Sequence, residues 1–118
     1  MRSEKLYLAD IVEAADEIAV FTADLSKEMF IADVRARSAA LYQLVVIGGA
    51  SGQISAELRE RYPEAPWSEL RLLHIVATHA YHDLDWDLAW TAVTQEIPEL
   101  RRQISSILQA EYGGGKQG

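Results

Sequence analysis

Trp67 to Leu100, WSELRLLHIVATHAYHDLDWDLAWTAVTQEIPEL, is the stretch whose reading decides the rest of the chain. It holds all three histidines (His74, His79, His82) and all three tryptophans (Trp67, Trp86, Trp90). Ser68, following Pro66-Trp67, predicts an N-cap for a helix running to about Tyr81. Within that helix Arg71, His74, Ile75, Thr78 and His79 fall on one side, within about 140° at roughly 100° per residue. A face mixing one cation with two imidazoles suits a site better than a core. His82-Asp83-Leu84 then reads as a turn, and Asp85 as the cap of a fourth helix through Thr94. Pro98 fits the first turn of a continuation, Glu99 to Glu111, or kinks a single helix there. Ile97, Leu100, Ile104, Ile107 and Leu108 keep an apolar stripe, and Trp86 and Trp90 are read as covering core or dimer surface.

Working back from this stretch, Pro63, Glu64, Ala65 and Pro66 make the firmest loop, because proline disfavours the helical state of the residue before it. Ser26 predicts the start of another helix, with Phe30, Val34, Arg37, Leu41, Leu44 and Gly48 tracing a stripe. The run GGASG (Gly48 to Gly52) favours a loop by propensity, since each interior glycine costs about 1 kcal/mol against alanine. Ile54, Leu58 and Tyr62 nonetheless continue the helical period, so one long helix from Ser26 to about Tyr62, bent near the glycines, is predicted. Ser3 to Leu25 reads as an amphipathic helix with Leu8, Ile11, Ala15, Ile18, Thr22 and Leu25 on one face. Its acidic face (Asp10, Glu13, Glu17, Asp24) is a solvated surface or a docking face for a basic partner. With no strand pattern or repeat, the chain reads as all-α, an antiparallel bundle of four to five helices forming one domain over 1–112. A glycine-rich tail, 113–118, is expected to be disordered.

Composition narrows the function. At 118 residues the chain can build one modest core, and its 25% charged and 49% hydrophobic residues are those of an ordinary globular protein. The absence of cysteine excludes disulfides and thiolate metal sites. The start, MRSEKLYLADIVEAAD, is too acidic for a signal or transit peptide, and the apolar stretch Ser38 to Ala50 is too short to span a membrane. No membrane association and a cytoplasmic location are therefore expected. A net charge of −7, with 11 basic against 18 acidic residues, argues against a dedicated sequence-independent nucleic-acid binder. A small basic patch built from two chains would still suffice for transient contact with RNA.

His79 alone would be read as structural; its neighbours His74, Arg71 and Tyr81 change that reading. Cleaving RNA through its 2′-hydroxyl needs a base for that proton, an acid for the leaving oxygen and a cation for the developing charge. Histidine, with an unperturbed pKa near ~6.5, serves the first two roles, and arginine the third. The competing use is a metal site from His79, His82, Asp83, Asp85 and Asp87. No H-E-x-x-H or comparable spacing supports it, so no metal or cofactor is expected and the aspartates read as turn and cap residues.

The order Phe30, Ile47-Gly48, Tyr62-Pro63, Pro66-Trp67, His79-x-Tyr81, Asp85, Trp90 and Ile97-Pro98-Glu99-Leu100 resembles the HepT-like family of the HEPN superfamily. The likeness covers nearly the whole chain, from the first helix to about Ile104. It implies a dimerising helical bundle and a metal-independent endoribonuclease, the toxin of a toxin–antitoxin pair whose antitoxin is a minimal nucleotidyltransferase. In that family an Arg, usually followed by Asn, precedes by a few residues a His-x-Tyr. The Arg and His of both subunits meet at the dimer seam, and the antitoxin attaches AMP to the Tyr. By this resemblance His79 is the catalytic histidine and Tyr81 the modified tyrosine. His74 stands where the Arg is expected, Ile75 where the Asn is, and Gly49 where many relatives carry Glu. Arg71, about one turn earlier on the same face, is the candidate to replace the missing cation. The alternative is a catalytically inactive homodimer that binds the nucleotidyltransferase, and a third is a helical adaptor with no connection to nucleic acid.

Overall fold

The computed structural model describes residues 3–79 and 84–113, with the backbone alone for 74–79. Among the described residues the secondary structure is entirely helical: α1 (Glu4–Thr22), α2 (Lys27–Ala32), α3 (Val34–Ser51), α4 (Ala56–Arg61), α5 (Trp67–His79), α6 (Trp86–Thr91) and α7 (Ile97–Leu108). Two π-helical segments, Ala92–Glu96 and Gln109–Gly113, make 86–113 one continuous rod. Short polar side chains fix most starts. Ser26 Oγ accepts from Met29 N at 3.1 Å, Ser55 Oγ from Leu58 N at 3.1 Å, and Asp85 Oδ1 from the Asp87 and Leu88 amides at 3.0 and 3.2 Å. Each bond satisfies an amide that the first turn leaves without an internal partner. The predicted starts at Ser26 and Asp85 are thus observed.

The single helix expected from Ser26 to Tyr62 is instead three. Asp33 adopts extended backbone and caps α3, its Oδ1 accepting from Arg35 N at 2.9 Å and Ala36 N at 3.4 Å. A short acceptor side chain that competes for backbone amides ends one helix and starts the next. The second break follows α3: Gly52 is its C-cap and Ser55 opens α4, whose amide is also bound by the Glu4 carboxylate. Gly48 and Gly49 remain helical, so only the end of GGASG is loop. The break at Asp33 also resets the helical phase. Val34 is 63% exposed, and the buried line of α3 is Ala36, Ala40, Leu44, Ile47 and Ala50. Small residues line it because α3 lies between α1 and α5 and is covered on two sides.

α5 begins at Trp67 rather than after Ser68: Pro66 O accepts from Leu70 N at 3.0 Å, and Ser68 is exposed. Proline's fixed φ suits this entry to a helix. The helix expected to end at Thr94 runs on, because the Ile97 amide reaches back five residues to Ala92 O and widens the turn before Pro98, which has no N–H to donate. The predicted faces of α1 and α7 hold, with Leu8, Ile11, Ala15 and Ile18 packed against Ile97, Leu100, Ile104 and Ile107 in one core.

Covalent reach sets the direction of α5. Trp67 Nε1 donates to Tyr62 O at 2.9 Å, and Tyr62 itself touches Glu111 near the C-terminal end of the rod. Trp86 begins that rod about 38 Å away at a rise of ~1.5 Å per residue. α5 advances only about 18 Å, and the seven steps from His79 to Trp86 add at most roughly 24 Å. The link therefore closes only if α5 points toward Trp86, antiparallel to α7. Pro66, Glu69, Leu72 and Leu73 accordingly face residues between Gln95 and Gln103. This points the His79 end of α5 toward the end of the bundle where α2, the start of α3 and the start of α6 meet.

Candidate functional site

α5 carries the candidate residues and is anchored by Leu70, which is fully buried, with Leu73 packed against the core. Arg71 and Leu72 face outward. Arg71 makes no hydrogen bond or ion pair with the described residues, and it stands about 12 Å along the axis from His79. That separation is a little more than two turns. His74 and His79 lie within α5, but their side chains are outside the described residues. Tyr81, His82 and Asp83 lie outside them altogether.

At the end of the bundle that α5 approaches, an aromatic cluster is built. Phe30 of α2 is fully buried, with its ring centroid 6.1 Å from that of Trp86 in an edge-on arrangement and 5.2 Å from that of Trp90. Trp86 and Trp90 are half-buried against this core. Arg37, one turn into α3, places its guanidinium carbon 5.3 Å from the Trp86 ring centroid. Its Nε is buried without a hydrogen-bond partner. In the sequence Arg37 was legible only as a cation interrupting an apolar stripe. Nearby, Lys27 Nζ lies 2.7 Å from Asp87 Oδ1, a bond that holds the ammonium pKa above its ordinary value. Asp85 and Asp87 are thus occupied by capping and pairing. Among the described residues no group of three histidine or carboxylate side chains is placed to hold a metal ion.

A concavity of about 680 Å³ lies between α5 and α7, where Leu72, Leu73, Ile97 and Leu100 meet Glu69, Glu96 and Glu99. Its carboxylates would repel a phosphate backbone, so it is unsuited to RNA. No described helix is long and apolar enough to cross a membrane.

Comparison with known proteins agrees along almost the whole chain. The family model described as "Ribonuclease HepT-like" matches residues 11–107, which include α5 and the aromatic cluster. "Probable ribonuclease HepT" of Thermococcus cleftensis is 34% identical, over 90% of this chain and 96% of its own. "Putative RNase MJ1380" of Methanocaldococcus jannaschii is 32% identical, over 90% of this chain and 97% of its own. "Putative RNase TTE0752" of Caldanaerobacter subterraneus is 29% identical, over 94% and 99%. No solved structure gives a significant match. By the span of the family match and the identity to its relatives, the chain belongs to the HepT-like ribonuclease family.

Proposed function

We propose that this protein is a metal-independent endoribonuclease, the toxin of a pair whose antitoxin is a minimal nucleotidyltransferase, working as a homodimer in the cytoplasm. The observation that carries the reading is the family match over residues 11–107, which includes both histidines of α5. In the reaction one imidazole takes the proton of a 2′-hydroxyl as the O2′–P bond forms. A second imidazole protonates the departing O5′ as the P–O5′ bond breaks, leaving a cyclic phosphate and a free 5′-hydroxyl. His79 from each of two copies supplies this acid–base pair, with His74 beside it and a cation holding the phosphate. Tyr81 is the position at which the nucleotidyltransferase attaches AMP.

The test is expression of the chain alone and with His79→Ala, followed by incubation of the purified dimer with RNA in a chelator. Growth arrest and cleavage that both disappear in His79→Ala support the reading; a chain that neither arrests growth nor cleaves RNA overturns it. A second reading is favoured by His74 and Ile75 standing where the family pattern has Arg and Asn. On that reading the dimer binds the nucleotidyltransferase without cutting RNA. Co-purification with the transferase and no cleavage under any condition distinguishes it.

A further inference from the structure

We infer that Arg37 is the phosphate-binding cation of this site, taking up from α3 the role that His74 leaves open on α5. The inference rests on the ribonuclease reading above and deepens it.

Electrostatic isolation is the first argument. In a chain with an excess of acid, five described cations sit against carboxylates: Lys27 with Asp87, Arg35 with Asp33, Arg61 with Glu111, Arg101 with Asp16 and Arg102 with Glu99. Arg37, like Lys5, Arg59 and Arg71, has no carboxylate partner among the described residues, and it differs from them in having its Nε buried; Asp33, one turn before it in sequence, is spent on capping. A buried guanidinium nitrogen without an acceptor costs free energy in a folded protein, so its position calls for a function that offsets that cost.

Pre-organisation is the second. The Trp86 ring lies under the guanidinium, and Trp86 is itself fixed edge-on against the buried Phe30. Cation–π contact orients the planar guanidinium without consuming a donor, and since Nε is buried a phosphate would meet the two Nη groups. Location is the third. α5 packs along α3 and runs toward the Trp86 end of the rod, so its His79 end lies nearer to Arg37 than its Trp67 end does. Arg71, by contrast, lies about 12 Å back along α5 from His79.

The test uses the full chain carrying His79→Ala, so that binding is read without cleavage, and a fluorescein-labelled single-stranded RNA as the probe. Adding Arg37→Ala should weaken binding about tenfold and lower the slope of log affinity against log salt by about 0.7, the share of one phosphate contact on a single strand. Arg37→Lys should keep the slope while losing part of the affinity, because the charge stays and the fork is lost. Arg37→Gln, which removes the charge but keeps part of the stem and a polar planar end, serves where the alanine variant melts early. A slope unchanged in Arg37→Gln, with only the melting temperature lowered, overturns the assignment and makes Arg37 a packing residue. Wild-type cleavage with that unchanged slope leaves the ribonuclease reading standing and removes Arg37 from it. A wild type that never cleaves but loses slope on substitution keeps the RNA contact and removes the ribonuclease.

Discussion

The Tyr62 hydroxyl donates to Glu111 Oε2 at 2.6 Å, joining the end of α4 to the end of the C-terminal rod. Arg61 forks onto the same carboxylate, Nη2 to Oε1 at 2.8 Å and Nε to Oε2 at 3.3 Å. These bonds, Tyr62's first, hold the Glu111 carboxyl below its ordinary 4.5. The same bond, followed by burial, pushes the Tyr62 hydroxyl above 10.0. The signs give a two-sided dependence. A depressed acid contributes stability above its unfolded pKa and loses it as pH falls through the folded value; a raised tyrosine contributes below its unfolded pKa and loses it as pH rises. Melting followed by circular dichroism should therefore decline below about pH 4.5 and above about pH 10. Glu111→Gln should flatten both limbs and lower the plateau between them. Unaltered limbs would mean the clamp is not formed in solution.

The aromatic cluster makes a second prediction. Phe30 is fully buried between two tryptophans. Phe30→Ala should cost about 3–5 kcal/mol in urea unfolding, the range for a large core ring removed without full collapse. Phe30→Leu should cost clearly less. Tryptophan emission should shift to the red in the alanine variant as Trp86 and Trp90 gain water. A loss under about 1 kcal/mol would mean that the short helix α2 is not held by this ring.

How far the sequence carries is best judged residue by residue. The amphipathic faces of α1 and α7 were legible because each packs along one side, so periodicity and burial coincide at Leu8, Ile11, Ile18, Ile97 and Ile104. α3 was not, because it is covered by both α1 and α5 and its buried line is mostly small residues that carry little hydrophobic contrast. The period through Ile54 and Leu58 ran in phase across a real break, since both are buried although a turn and the Ser55 cap separate them from α3. Asp33 escaped notice for a related reason: its flanking alanines and arginines are good helix formers, and only the cap geometry ends the helix. At the candidate site, His74 and His79 were singled out by type and spacing, and their side chains lie outside the described residues. Arg37 was not, because its relation to Trp86 joins residues on two helices that only the tertiary fold brings together.

That break at Asp33 is itself testable. Asp33→Ala removes the acceptor for the Arg35 and Ala36 amides and should destabilise the protein by about 0.5–2 kcal/mol. Asp33→Asn keeps an acceptor and should stay within a few tenths of wild type, apart from the lost charge at a helix N-terminus. Equal losses in both variants would place the effect in charge rather than capping.

The last prediction concerns the residue by which this chain departs most from its family's pattern. On the ribonuclease reading His74 stands where the family pattern has an arginine, so the phosphate would meet an imidazole, which unlike a guanidinium is not permanently charged. His74→Arg restores a permanent cation with two parallel donors. On the ribonuclease reading, cleavage should rise by about tenfold or more at neutral pH, since a single well-placed donor to a developing oxyanion contributes roughly 10²–10³ in rate. The gain should be largest at alkaline pH, where His74 has lost its proton, and should shrink toward acid, where wild type already carries the charge. That divergence in the pH–rate profile separates restored phosphate binding from a general improvement in folding, which would raise the whole profile evenly. An unchanged rate in His74→Arg, combined with a large loss in Arg37→Ala, would assign the cationic role wholly to α3.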